Sequence, residues 1–170
     1  MNTKAALFTV VLLIGLFRIA IAQTVLKKGD PVPNFSEIDN QGNSIHLEDY
    51  RGKVVLLNFT ATWCGPCWET YTPMNELQKR YADDLVIISF HMDKTPEKWK
   101  KKAAKKGIDF DVISIWQTDT VKEVFDWFAP KLYPNFVLLN QEGSITRKWE
   151  GNSEKFLNRY VHQAMRRAKK

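Results

Sequence analysis

Cys64 and Cys67 are the only cysteines in the 170-residue chain, and they stand three apart in Trp63-Cys64-Gly65-Pro66-Cys67-Trp68. An apolar β-type run, Val54 to Phe59, leads into them, and a helical pattern opens directly behind. A sulfur at such a strand-to-helix junction meets unpaired backbone N–H groups and the positive end of the helix dipole, and both favour an anion. Its thiol pKa is thereby drawn toward the range where thiolate is abundant near neutral pH. The second sulfur, one turn further in, can close a disulfide on the first. The chemistry this spacing supports is thiol–disulfide exchange.

Other uses of the pair fit less well. A loop this short constrains the unfolded chain little, so the bridge would be a poor structural staple. A zinc site needs two more ligands, and His46, His91 and His162 are scattered without ligand spacing. No metal is therefore expected. Haem attachment would require histidine directly after Cys67, where the chain has Trp68.

The elements that must hold the pair can be read from the pattern. Phe35–Asp39 and Ser44–Leu47 form two short strands around the turn Asn40-Gln41-Gly42-Asn43, and Leu47–Arg51 a single helical turn. Val54–Phe59 is near-continuously apolar, as in a strand buried on both faces. Cys64 to Tyr81 reads as the first long helix and Leu85–Phe90 as a second central strand. A helix starts at Thr95-Pro96-Glu97, with proline at its first position, and stops at Gly107. A short strand near Val112–Ile115 follows, then a helix over Asp119–Phe128 with Val121, Val124, Phe125 and Phe128 on one face. Asn135–Asn140 and Ser144–Trp149 flank a Gln141-Glu142-Gly143 turn as a hairpin. A last helix, capped by Ser153, should turn Phe156, Leu157, Tyr160, Val161 and Met165 inward. The order implies an α/β fold: a mixed central sheet flanked by helices, its first two central strands parallel with a right-handed crossover.

The first residues read as an export signal. Lys4 gives a positive start, Ala5–Phe17 an apolar core, and Ala20-Ile21-Ala22 a small-x-small cleavage pattern. The expectation is a signal peptide at 1–22, which left uncleaved would be a membrane anchor, and one domain over 23–170. The product would be periplasmic or otherwise exported, an oxidising setting in which disulfides persist. The net charge of +6 concentrates in Lys98–Lys106 and Arg166–Lys170. Such runs are usually solvated helix faces; an anionic membrane surface or an acidic partner is the functional alternative. No nucleic-acid partner is expected.

Taken together, Pro33-Asn34-Phe35, Tyr50-Arg51-Gly52-Lys53-Val54-Val55-Leu56-Leu57-Asn58-Phe59 and Thr60-Ala61-Thr62-Trp63-Cys64-Gly65-Pro66-Cys67 resemble the thioredoxin fold. They resemble more closely its exported TlpA/ResA-like branch within the redoxin (AhpC/TSA-like) group, over roughly residues 27 to 165. The resemblance implies an N-terminal β-hairpin and a helix inserted before the cis-proline strand. It makes Cys64 the attacking nucleophile, exposed at the helix start, and Cys67 the resolving thiol. Trp63 would shape the surface beside the sulfur, and Gly65-Pro66 is the dipeptide of thioredoxin itself. Pro134 would be the cis-proline opposite the disulfide, with the Tyr133 backbone free to pair with a substrate strand.

Two positions depart from the branch. It commonly carries Glu three residues after the second cysteine, thought to handle protons; here Thr70 stands there and Glu69 lies one earlier. One residue turns a helical side chain by about 100°, so Glu69 is expected to face solvent. The kink proline, Pro73, comes one residue later than usual, which predicts a late bend or an irregular turn. The resulting expectation is an exported thiol–disulfide oxidoreductase, monomeric and without cofactor beyond the Cys64–Cys67 disulfide. It would act mainly as a reductant of protein disulfides, supplied by a membrane electron donor. A disulfide isomerase or oxidase, a peroxidase, and a non-catalytic peptide-binding module are the competing readings.

Overall fold

The computed structural model describes residues 25–108, 113–116 and 118–169. The expected leader over 1–22 lies outside the described residues. Two strands, β1 (Ser36–Ile38) and β2 (Ser44–His46), form an antiparallel hairpin, followed by a 3-10 turn over Leu47–Tyr50. The central elements are β3 (Val54–Thr60), α1 (Tyr71–Arg80), β4 (Leu85–His91), α2 (Glu97–Lys106), β5 (Ile113–Ile115) and α3 (Asp119–Phe128). β6 (Asn135–Leu139), β7 (Ile145–Glu150) and α4 (Glu154–Ala168) complete the order. Five strands make one mixed sheet in the order β5-β4-β3-β6-β7. β3 runs parallel to β4, and β6 runs antiparallel to both β3 and β7. This is the thioredoxin architecture.

Alternation along β3 divides the core into two layers, because successive strand side chains leave opposite faces of a sheet. Val54 and Leu56 pack with α1, α2 and α4 through Met74, Leu77, Trp99, Leu157 and Val161. Val55, Leu57 and Phe59 pack with α3 and the N-terminal hairpin through Val124, Phe128, Phe35 and Ile45. Phe59 has no solvent exposure and stands 4.9 Å from the Phe125 ring, 5.4 Å from Phe90 and 5.4 Å from Phe128. Burying one such side chain stabilises the fold by about 1.5–3 kcal/mol.

Registry decides where the chemistry sits. Thr60 is opposite His91 on β4, and Phe59 is opposite Asn135 on β6. The end of β3, the end of β4 and the start of β6 therefore lie together at one end of the sheet. The Cys64 turn and the Tyr133-Pro134 segment are both delivered there.

The first helix differs from its expected span of Cys64 to Tyr81. A 3-10 turn covers Pro66–Glu69, and the α-helix starts afresh at Tyr71. Thr70 closes the tighter turn, its N–H bonded to the Cys67 carbonyl at 3.1 Å. The break places Pro73 in the first turn of α1, where its missing N–H has no intrahelical partner to lose. The irregularity thus precedes the proline rather than following it. α2 starts at Glu97, with Pro96 as its N-cap rather than its first residue. Phe156, expected to face inward, is 41% exposed and stacks on Tyr160 at the helix surface.

Candidate active site

Cys64 and Cys67 form a disulfide with Cα atoms 5.4 Å apart. The Cys67 N–H points at the Cys64 sulfur, 3.2 Å away. That donor is positioned to hold a thiolate once the bridge opens. The Cys64 N–H bonds to the Ala61 carbonyl at 3.1 Å, turning the chain out of β3. The pair packs against Ala61, Met92 and Tyr133.

Cys64 is less open than the resemblance implies. It is 4% exposed and Cys67 is 0%, because Met92 and Tyr133 close over the bridge from β4 and the β6 approach. The asymmetry between the two nonetheless leaves only Cys64 within reach of solvent. Gly65 and Pro66 are exposed beside it.

The Tyr133–Pro134 peptide bond is cis. Tyr133 is half-buried and its ring meets Trp63 edge-on, 5.7 Å between centroids. Trp63 is 68% exposed and Leu132 is 64% exposed, an apolar rim that solvent alone does not favour. On the other side an open groove is lined by Met92, Val121 and Phe125, with Lys122 and Asp126 at its rim. Met92 joins that groove to the disulfide. Burial pushes the Tyr133 hydroxyl pKa up, keeping it neutral through the physiological range.

The two candidates for proton handling separate. Glu69 is exposed and engaged by the Asn152 amide, as the one-residue offset predicts. Thr70 is buried, and its hydroxyl donates to the Cys67 carbonyl at 2.7 Å. It ties the resolving cysteine's backbone and has no acidic proton to exchange at neutral pH. Among the described residues no cluster of His, Cys, Asp or Glu is placed to hold a metal ion. His46 bonds Ser36 and His162 bonds Tyr81.

Sequence reasoning missed several residues here. Asp93 Oδ2 accepts the Thr62 N–H at 2.7 Å, and Lys102 Nζ donates to the Thr62 carbonyl at 3.0 Å. Lys102 is one of six lysines in α2, so nothing local marks it. His91, also unassigned, has no exposed surface and packs its ring 4.1 Å from that of Trp116. Burial lowers its pKa from 6.5 to about 3, so it is neutral around the site.

The sequence profile of the AhpC/TSA family matches residues 28–148. The chain belongs to that family. Thioredoxin-like protein YneN of Bacillus subtilis is 32% identical over 120 residues, covering 71% of this chain and 69% of that protein. The thiol-disulfide oxidoreductase ResA of Bacillus thuringiensis is 31% identical over 128 residues, covering 75% and 72%. Among solved structures, the thioredoxin domain of a thiol-disulfide oxidoreductase from Bacteroides vulgatus aligns with a TM-score of 0.67. It is 26% identical and covers 80% of this chain and 99% of its own. A thiol:disulfide interchange protein DsbE from Chlorobium tepidum shares the fold at TM-score 0.72 and 24% identity, covering 82% and 98%. This AhpC/TSA member is thus a TlpA/ResA-like redoxin, a thioredoxin-like thiol–disulfide oxidoreductase carrying a Cys64–Cys67 pair. Among its described residues no helix is long and apolar enough to cross a membrane.

Proposed function

We propose that the protein is exported and works as a reductant of disulfides in other proteins. The observation that carries this reading is the Cys64–Cys67 bridge, open to solvent only at Cys64 and flanked by the cis Tyr133–Pro134 bond. In this account the Cys64 thiolate attacks a substrate disulfide, and Cys67 then resolves the mixed disulfide. Trp63, Gly65 and Pro66 form the surface beside the sulfur, and the Tyr133 backbone pairs with an extended substrate segment. The exposed Trp63 and Leu132 favour substrates carrying apolar side chains near the target cysteine. Glu69 has no part in proton transfer, and Thr70 serves only to fix the Cys67 backbone.

The Gly65-Pro66 dipeptide supports the reducing direction. Thioredoxin lies near −270 mV and the oxidant DsbA near −120 mV, a gap of about 7 kcal/mol for two electrons. Working in an oxidising compartment, the protein requires a membrane electron donor to return it to the dithiol, and it acts as a monomer. Residues 1–22, with their apolar core at 5–17, supply the export signal or an anchor. Equilibration in dithiothreitol and glutathione buffers tests the direction. The expected midpoint falls closer to thioredoxin than to DsbA; a midpoint near the DsbA value would make the protein an oxidase or isomerase instead.

A further inference from the structure

Thr62 lies two residues before Cys64, and its backbone is held from both sides by charged groups. Its N–H donates to Asp93 Oδ2 at 2.7 Å. Its carbonyl accepts from Trp68 Nε1 at 3.1 Å and from Lys102 Nζ at 3.0 Å, filling both lone pairs. The Lys102 ammonium also lies 5.0 Å from the Trp68 ring centroid. Of the six lysines on α2, Lys98, Lys100, Lys101, Lys105 and Lys106 are exposed and only Lys102 is half-buried. It sits beside Ala103 and three residues beyond Trp99, both of which dock α2 on the sheet. Among the described residues Lys102 has no carboxylate partner; the only ion pairs are Lys122–Asp119 and Lys169–Asp84.

A half-buried cation held on the turn before the nucleophile, and not neutralised by contact, projects its field onto the sulfur. We propose that Lys102 is a positioning residue of the exchange reaction, fixing the Thr62 turn and stabilising the Cys64 thiolate by charge. The inference rests on Cys64 being the attacking group. In that reaction the Cys64 thiolate forms a bond to one substrate sulfur and expels the other as thiolate. Cys67 loses its proton to solvent, attacks the Cys64 sulfur, re-forms the bridge and expels the second substrate thiolate. Two electrons pass to the substrate. Lys102 stabilises the charged form from which the first step starts.

The other ionisable groups around the turn are accounted for. Asp93, on the loop after β4, opposes Lys102 from the N–H side. His91, at the end of β4, is neutral and buried, and Tyr71 and Tyr133 have hydroxyl pKa values raised by burial. Glu69 is engaged by Asn152, and Lys122 and Asp126 stand at the groove rim. At an effective dielectric of about 30, Coulomb's law makes a unit charge within roughly 10 Å of a thiol worth about one pKa unit.

The test measures the pH dependence of iodoacetamide alkylation in the full chain on a Cys67→Ala background, where Cys64 is the only thiol. Lys102→Met should raise the Cys64 pKa by about one unit and slow alkylation at pH 6 by about tenfold. Lys102→Gln, which keeps a donor for the Thr62 carbonyl without the charge, should shift it similarly. Lys102→Arg should restore the parent profile, and Asp93→Asn should move it the opposite way. Unchanged profiles in folded Met and Gln variants would overturn the proposal, as would an Arg variant displaced as far as Met. If instead the parent itself titrates as an ordinary thiol near pH 8.5, the assignment of Cys64 as nucleophile fails first.

Discussion

Buried His91 should make this fold sensitive to acid. His91 has no exposed surface, and neither ring nitrogen finds a hydrogen-bond partner among the described residues. Its pKa falls from 6.5 to about 3 because burial disfavours the imidazolium. The unfolded chain therefore binds a proton that the folded chain refuses, and stability falls as pH drops from 6.5 toward 3. Linkage gives a loss of about 2 kcal/mol between pH 7 and pH 5, and about 5 kcal/mol over the whole window. Replacing His91 with Phe keeps a flat ring against Trp116 and deletes the titrating group along with two unpartnered nitrogens. Denaturant unfolding of oxidised parent and variant at both pH values isolates the effect, since carboxylate contributions common to both cancel in the difference. The variant should gain about 2 kcal/mol on the parent between pH 7 and pH 5. A constant difference would mean that the imidazole reaches water in the folded protein, and the reasoning would be wrong.

Other substitutions separate packing from chemistry. Trp63→Ala should raise KM for a protein disulfide several-fold while changing stability by less than about 1 kcal/mol, because the side chain is 68% exposed. Its oxidation of dithiothreitol should stay near the parent rate. Thr70→Val removes the buried hydroxyl bond to the Cys67 carbonyl, and thermal melting should report a loss of about 1 kcal/mol. Phe59→Ala empties the centre of the Phe90, Phe125 and Phe128 cluster and should cost about 3–5 kcal/mol in denaturant titration.

Much of the scaffold was legible because it obeys local rules. The run Val54–Phe59 announced a strand buried on both faces, and the structure leaves every β3 residue buried. The Asn135–Leu139 and Ile145–Glu150 hairpin followed from its turn residues, and β5 appeared as Ile113–Ile115 within the expected stretch. The helix over Asp119–Phe128 fell on the predicted span with its four apolar residues buried. What failed in the scaffold was decided by short-range detail finer than a hydrophobic period. The continuous helix from Cys64 was broken because Pro73 and the Thr70 bond to the Cys67 carbonyl favour a fresh start at Tyr71. Phe156 obeys the helical period yet lies outward, stacked on Tyr160.

The site divides in the same way. Its two sulfurs were visible as a spacing, whereas their cover by Met92 and Tyr133 comes from β4 and the loop before β6. Glu69 faces solvent as expected, although it does so from the end of a 3-10 turn, where a residue turns a side chain by about 120°, and Asn152 engages it there. Asp93, Lys102 and His91 carried no local signal, since each acquires its meaning from a residue at least eight positions away. Strand registry brings His91 to the end of the sheet that holds Cys64, the loop after β4 brings Asp93, and the docking of α2 brings Lys102.

The measurement closest to the heart of this account is covalent capture in the cell that makes the protein. A Cys67→Ala variant keeps the attacking thiol and lacks the one that releases the product, so it should accumulate a dithiothreitol-sensitive adduct through Cys64. The same variant with Cys64→Ser added should show none. An adduct that persists without Cys64, or none at all from a folded, reduced Cys67→Ala protein, would contradict Cys64 as the group that engages substrate.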